Sequence, residues 1–337
     1  MQMFQKHKDK AFILLSVAVL LLLFALDLTT GSAEISPGDI IRTYAGGEVP
    51  SQTRSIVLEI RTARAVTALL AGIAVSVCGL IMQTFFRNPL AGPFVLGINS
   101  GASLGAALFV LGLPAAGIGN GLAENLGLAG AAWIGAGAVM FLVAAVSHRM
   151  KDIMVVLILG MMFSSGIDAL VQVMQFFSDS TSLKSYVLWT MGSLGSVSHS
   201  QLPLLAGAVL VGLLLAVISV KPLNMLHLGE EYAVTMGLNV RRTRYVIYSA
   251  TVLLAGTVTA FCGPIGFIGL ASPHIARFMT GRSDHRILLP CTALAGAVLM
   301  LLCDILSRLC SLPVNVMTSL LGIPIVIWIV LRIKKPF

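Results

Sequence analysis

The chain has 337 residues, of which 57% are hydrophobic and only 11% charged. Soluble domains carry about 25% charged residues, and a mean hydropathy of +0.95 leaves too little polar surface to cover a water-soluble body of this size. The formal charge of +8 therefore reads as basic residues retained on the cytoplasmic side of a membrane. No basic run with interleaved aromatics argues for a nucleic-acid surface instead.

In chain order, ten apolar stretches predict transmembrane helices, at about 11–30, 61–86, 93–112, 122–147, 152–177, 199–220, 242–261, 264–280, 285–308 and 314–334. Each has to supply about 20 residues to cross about 30 Å of hydrocarbon. The first follows Lys6, Lys8 and Lys10, like a signal peptide, and Gly31-Ser32-Ala33 could serve as a weak cleavage site. Nine further apolar runs make a retained helix the better reading. The eighth stretch is short, holds Pro273 and is expected to be broken. Pro93 and Pro264 are expected in the first turns of helices, where the missing amide costs nothing.

With the N-terminus inside, the outer side keeps six basic residues: Arg42, Arg54, Arg61, Arg64, Lys184 and Arg308. The other sixteen, Arg149, Lys151, Arg332, Lys334 and Lys335 among them, fall inside. That asymmetry predicts an even number of spans with both termini cytoplasmic. Five cysteines (Cys78, Cys262, Cys291, Cys303 and Cys310) form no CxxC pair and read as small packing residues. Gly97, Gly101 and Gly105 make a double GxxxG step, and Gly72, Ser76 and Gly79 a second small-residue stripe; both predict close helix crossings.

Two polar segments stand out. The outer loop 31–60 carries Pro37, Gly46, Gly47 and Pro50. The inner segment 221–241 reads as a short apolar helix, a glycine, and a second helix opened by Glu230 and Glu231, where the helix dipole favours carboxylates. It is either a docking surface for a cytoplasmic partner or an ordinary solvated turn.

No GxxxxGK[ST] loop occurs, so this chain is not expected to bind ATP by itself, and no HExxH or GxSxG motif suggests a hydrolase. Charges within spans are costly. Asp304 and Arg308 are four apart and can neutralise each other on one helix face. Asp168 lies about 16 residues, or ~24 Å, into the fifth span, with Gln172 one turn on. It could relay protons, contact substrate, or hydrogen-bond a neighbouring helix. Transport is favoured, either as an ion-coupled secondary carrier using Asp168 or as the pore of a machine driven by separate ATPases. The 221–241 segment favours the second.

Five blocks carry a resemblance: RTAR (61–64), GLIMQTFFRNPLAGPFVLGINSGASLG (79–105), NMLHLGEEYAVTMGL (224–238), GFIGLASPHIARFMTGRSDHRILLP (266–290) and GAVLMLLCDILSR (296–308). In this order they resemble the FecCD-type permeases of type II ABC importers, which carry iron-siderophores, haem or cobalamin, from about residue 12 to 334. The cobalamin-carrying branch is a close parallel in the third and fourth blocks.

The resemblance implies an all-α, ten-helix permease domain spanning 1–337, forming a homodimer in the bacterial cytoplasmic membrane. It implies two ATP-binding subunits below, holding ATP and magnesium, and a substrate-binding protein above, with no cofactor on this chain. Segment 221–241 becomes the coupling element, with Leu228, Gly229, Glu230, Glu231, Ala233, Gly237 and Arg241 at the ATPase. Arg61, Arg64 and Arg308 match positions that dock the binding protein, and Asn88 and Leu90 match a cytoplasmic gate. A ferric siderophore is the first expected cargo, with cobalamin or haem as alternatives.

The chain departs from the family pattern in three places. The link Leu309-Cys310-Ser311-Leu312 lacks the usual Glu, and Asn315 stands where Gly is usual. Asp152-Ile153-Met154 lacks the small hydroxyl residues found in the cobalamin branch, so Ile153 and Met154 are expected to close the gate by dewetting. Asp168 has no recognised counterpart in the cobalamin branch.

Overall fold

The computed structural model describes residues 2–113, 121–147, 150 and 153–332. Asp152, Arg149, Lys151, Lys334 and Lys335 lie outside the described residues. Among those described, the regular structure is helical throughout. The helices are α1 (Gln2–Thr29), α2 (Pro37–Tyr44), α3 (Ser51–Phe85), α4 (Ile98–Gly112), α5 (Gly121–Ser147), α6 (Ile153–Phe177) and α7 (Ser180–Thr190). They continue as α8 (Leu202–Ile218), α9 (Val220–His227), α10 (Glu230–Thr235), α11 (Val240–Cys262), α12 (Ile268–Thr280), α13 (His285–Cys310) and α14 (Val314–Arg332).

A helix occupies most of each of the ten predicted stretches, and six are long and apolar enough to cross a membrane; α8 joined to α9 across a 50° bend makes a seventh. The remaining stretches hold the shorter α4, α12 and α14. At ~1.5 Å per residue, the 13 residues of α12 reach only ~20 Å, and Pro273 lies inside it. Helix α3 has 35 residues, more than one bilayer needs. It carries an i→i+5 turn at Ile56–Arg61 that resets the phase of its side chains.

Neither Pro93 nor Pro264 opens a helix, contrary to the expectation from sequence. Residues 89–97 run through turns, and α4 starts only after Gly97, at φ 80°. Residues 263–266 are non-helical, and α12 starts after Phe267, at φ 64°. In both cases a residue with positive φ, placed after the proline, sets the entry to the helix.

The chain divides into two compact units. The first holds Met1–Val77, Ser193–Gly207 and Gly266–Phe337; the second holds Cys78–Gly192 and Ala208–Ile265. In the first, α1 and α12 pack along α13, and α14 packs on α12 and α13. A Cβ on Gly72 would lie 2.5 Å from the Gly296 carbonyl oxygen, so α3 and α13 cross backbone to backbone. In the second, α4 packs against α5 and α6. A Cβ on Gly101 would lie 2.6 Å from the carbonyl oxygen of Gly135 and 2.7 Å from Val139. Gly105 meets Ala131 in the same way, so the double GxxxG step of the sequence is this crossing.

Gly101→Leu is therefore expected to cost more than the 1–3 kcal/mol typical of overpacking, because the obstacle is backbone that cannot rotate away. The matched control is Gly137→Ala, where a Cβ meets nothing within 4 Å. Thermal unfolding of both variants in detergent checks this, and equal melting temperatures would refute it.

Candidate coupling and docking sites

The 221–241 segment lies wholly in the second unit. Helix α9 ends at His227, and Gly229 turns the chain at φ 119°, a conformation that L side chains rarely adopt. Helix α10 begins with Glu230 and Glu231 in its first turn. It ends in a Schellman motif: the Leu238 amide donates to the Ala233 carbonyl at 2.9 Å and the Gly237 amide to Val234 at 2.9 Å, with Gly237 at φ 86°. Asn239 then caps α11, its Oδ1 accepting from the Arg242 amide at 3.0 Å. The two glycines and the asparagine thus fix a helix–turn–helix whose shape depends on local chemistry.

The predicted coupling residues divide by exposure. Ala233 is fully buried and anchors α10, and Gly229 is buried in its turn. Leu228, Glu231, Gly237 and Arg241 are exposed. Tyr232, Val234 and Met236 are exposed as well, an apolar patch that the sequence reading passed over.

Glu230, a third exposed, is tied into the fold. It accepts from Arg244 Nη2 at 3.0 Å, while Arg244 Nη1 donates to the Met150 carbonyl at 2.9 Å. Ser147 and Tyr248 share a hydrogen bond of 2.9 Å close by. Arg244 therefore ties α10 to α11 and to the chain leaving α5.

Residues Leu228–Tyr232 also line a cavity of 370 Å³ with Phe85, Arg87 and Ile153. That brings Ile153, at the start of α6, into the coupling element's own cavity. Met154 beside it is exposed. Asn88 and Leu90 do not line the cavity. Asn88 Oδ1 accepts from the Leu90 amide at 2.9 Å, holding a turn from which the Leu90 side chain projects. Arg87, at φ 48°, links that turn to the cavity. Asp168 is exposed on α6, among exposed Met161, Met162, Leu170 and Val173.

Arg61, Arg64 and Arg308 lie in the first unit and turn inward. Arg61, only 4% exposed, donates to the carbonyls of Leu28 and Thr29 at 2.9 and 3.0 Å and of Ala33 at 2.5 Å. Arg308 donates to the carbonyls of Asp27 and Thr30 and pairs with the carboxylates of Asp27 and Asp304. These two guanidinium groups satisfy carbonyls that the end of α1 leaves open. Arg64 holds Asp304 from the other side through Nε and Nη2 at 2.8–3.0 Å. Asp27 and Asp304 are fully buried. The predicted Asp304–Arg308 pair forms at 2.9 Å, but within a four-residue ion-pair network with Arg64 and Asp27. In this conformation Arg61 has no surface to offer a partner.

The link after α13 is closed by its own polar groups: Ser307 Oγ donates to the Leu312 carbonyl at 2.6 Å, and Ser311 takes φ 53°. Asn315 Oδ1 accepts from the Gly266 amide at 3.0 Å, a bond that a glycine there could not make.

The sequence model of the FecCD transport family matches residues 19–332. The vitamin B12 import system permease protein BtuC of Escherichia coli O9:H4 (strain HS) is 36% identical over 335 residues, covering 98% of each chain. Its counterpart in Escherichia coli strain K12 / DH10B is 37% identical over 332 residues, covering 97% of each. Among solved structures, a metal-chelate type ABC transporter in an inward-facing conformation superposes with a TM-score of 0.83 at 27% identity, covering 96% of this chain and 99% of that one. PsaBC from Streptococcus pneumoniae, in complex with Fab, shares the fold at a TM-score of 0.55 and 18% identity, covering 79% of this chain and 90% of that one.

Proposed function

The chain belongs to the FecCD transport family, and from that premise we propose that it is the permease subunit of an ATP-driven importer of metal chelates in the bacterial cytoplasmic membrane. It acts as a homodimer of ten-helix chains with both termini cytoplasmic. Separate ATPase subunits sit below it and a substrate-binding protein above. Cobalamin is the cargo to test first, because the curated relatives at 36–37% identity are vitamin B12 permeases. A ferric siderophore, the first expectation from sequence, is the second.

The observation that carries the reading is a charged and apolar surface element rigidly joined to membrane-crossing helices. Leu228, Glu231 and Tyr232 face outward on α9–α10, while Glu230 and Arg244 brace that element to α11 and to Met150. A displacement of α10 by an ATPase would be passed to α11 and to the end of α5, and Ile153 in the shared cavity would move with it. Gly229 and Gly237 shape the element and Ala233 anchors it. Ile153, Met154, Asn88 and Leu90 form the inner closure. This chain contributes shape and coupling, and the bond-breaking chemistry belongs to the ATPases.

Asp168 supports the dimeric pathway. A carboxylate facing lipid costs several kcal/mol, so its exposed position on α6 calls for water or a second copy of the chain against that face. Of the three outer arginines, Arg64 keeps 23% of its side chain exposed and is the one with surface to present to a binding protein.

Uptake into vesicles carrying this chain with its ATPase and binding protein tests the proposal. Labelled cobalamin and a labelled ferric siderophore are offered in parallel, with and without internal ATP. Uptake of one chelate that depends on ATP is the expected result. Uptake that ignores ATP and collapses with the proton gradient would refute the reading and make Asp168 a proton carrier.

A further inference from the structure

Helices α5 and α11 leave a long groove between them within the second unit. It has a volume of 750 Å³ and is lined by Met140, Phe141, Ala144 and Ala145 on one wall and Val252 and Leu253 on the other. Tyr245 and Tyr248 stand at one end of it, and they also line a second cavity of 220 Å³ with Glu230, Arg241 and Arg244. Ala144 is common to both. The two cavities therefore adjoin at Ala144, Tyr245 and Tyr248, the larger lined mostly by apolar groups and the smaller by polar and cationic ones.

We propose that these adjoining cavities together hold one anionic glycerophospholipid of the adjoining leaflet, with an acyl chain along the groove and its phosphate at Arg241 and Tyr245. Three features fit that occupant. Arg241 to Leu253 spans twelve residues of helix, or ~18 Å, close to half of the ~30 Å hydrocarbon thickness. The apolar wall belongs to two helices that are long and apolar enough to cross the membrane, so a hydrocarbon chain is the solvent already present there. The mouth carries Arg241, Arg244 and Glu230. Glu230 is matched by Arg244 at 3.0 Å, which leaves the exposed Arg241 as the excess positive charge. A basic mouth between membrane helices on the cytoplasmic side is suited to an anionic headgroup. Tyr245 is half exposed at the same mouth, where an aromatic hydroxyl meets the interfacial region and can donate to a phosphate oxygen.

The inference rests on the membrane reading of α5 and α11 and not on ATP-driven transport, so it is tested on the permease alone. Native mass spectrometry of the full-length chain, titrated with dioleoyl phosphatidylglycerol and with dioleoyl phosphatidylcholine, reads the preference directly. The wild type is expected to retain phosphatidylglycerol about fivefold more tightly, the effect of one near-surface arginine. Arg241→Ala is expected to abolish that preference, while filling the groove with Ala145→Trp weakens both lipids alike. Val252→Phe serves as a second filling variant should the first not fold. Equal retention of the two lipids by the wild type would overturn the proposal. So would a preference that survives Arg241→Ala, or filling variants that bind lipid as the wild type does. Displacement by soluble glycerol 3-phosphate as effective as by the lipid would also overturn it, because the groove would then contribute nothing.

Discussion

Asp304→Ala is expected to lower the unfolding temperature of the purified chain by about 4 °C. Asp304 is fully buried and holds two arginines, Arg64 at 2.8–3.0 Å and Arg308 at 2.9 Å. Removing it leaves Arg308 with the Asp27 carboxylate and takes from Arg64 the carboxylate it holds. Loss of one partner from a buried ion pair costs about 3–5 kcal/mol, chiefly as the penalty of the charge left behind. The lower end applies here, because Arg64 is a quarter exposed and can turn to water. At about 2.1 cal/mol/K of unfolding entropy per residue, a chain of this size shifts its melting temperature by ~1.4 °C per kcal/mol.

The companion Asp27→Ala should cost less. Arg308 keeps Asp304 and the carbonyls of Asp27 and Thr30 in that variant, so no guanidinium is stranded. Asp304→Asn should fall between, since an amide oxygen still accepts from Arg64 but carries no charge. Calorimetry or fluorescence-monitored melting in one detergent gives the order, and Asp27→Ala melting below Asp304→Ala would reverse the argument. The network also changes what arginine substitutions mean. A charge reversal at Arg61 or Arg308 would unseat the end of α1, so a slower capture of any binding protein by such variants is not evidence of a lost contact unless their stability is first shown to be intact.

The helices were legible because a chain solvated by lipid writes them as apolar runs, and such runs need no partner to be recognised. The α4–α5 crossing was legible for a similar reason: Gly97, Gly101 and Gly105 repeat at a spacing that only close helix approach requires. Gly229 and Gly237 marked the turns of the coupling element, because positive φ strongly favours glycine. The Asp304–Arg308 pair, four residues apart on one helix, follows from helical geometry. Arg64–Asp304 and Arg308–Asp27 are separated by 240 and 281 positions, and no local pattern encodes a pairing at that distance. The sequence therefore supplied the charged residues of this cluster but not the bonds that Arg61, Arg64 and Arg308 make within the chain. Pro93 and Pro264 misled for a local reason. A first-turn proline is favourable in a helix, but the conformation at Gly97 and at Phe267 delays the helix by several residues.

Splitting the two adjacent glutamates of α10 gives the second large effect. Glu231→Lys is expected to weaken co-purification of the ATPase by about tenfold while leaving stability within about 0.5 kcal/mol of the parent. Its side chain is exposed and makes no bond that the fold relies on. Glu230→Lys should do something different. It sets an ammonium against Arg244, whose side chain is only 11% exposed, and frees the brace between α10 and α11. A fully buried pair broken in this way costs about 3–5 kcal/mol. With Glu230 a third exposed, about 1–2 kcal/mol is the discounted expectation. The charge-swapped double variant Glu230→Lys with Arg244→Glu should recover only part of that loss. A glutamate at 244 can pair with the new lysine but cannot donate to the Met150 carbonyl, so that tie is lost while the Ser147–Tyr248 hydrogen bond still joins α5 to α11. Partial recovery of melting temperature with ATP-driven uptake still impaired would place coupling in the Arg244–Met150 tie. Full recovery of both would place it in the surface charges alone. Normal co-purification of the ATPase by Glu231→Lys would remove α10 from the docking surface altogether.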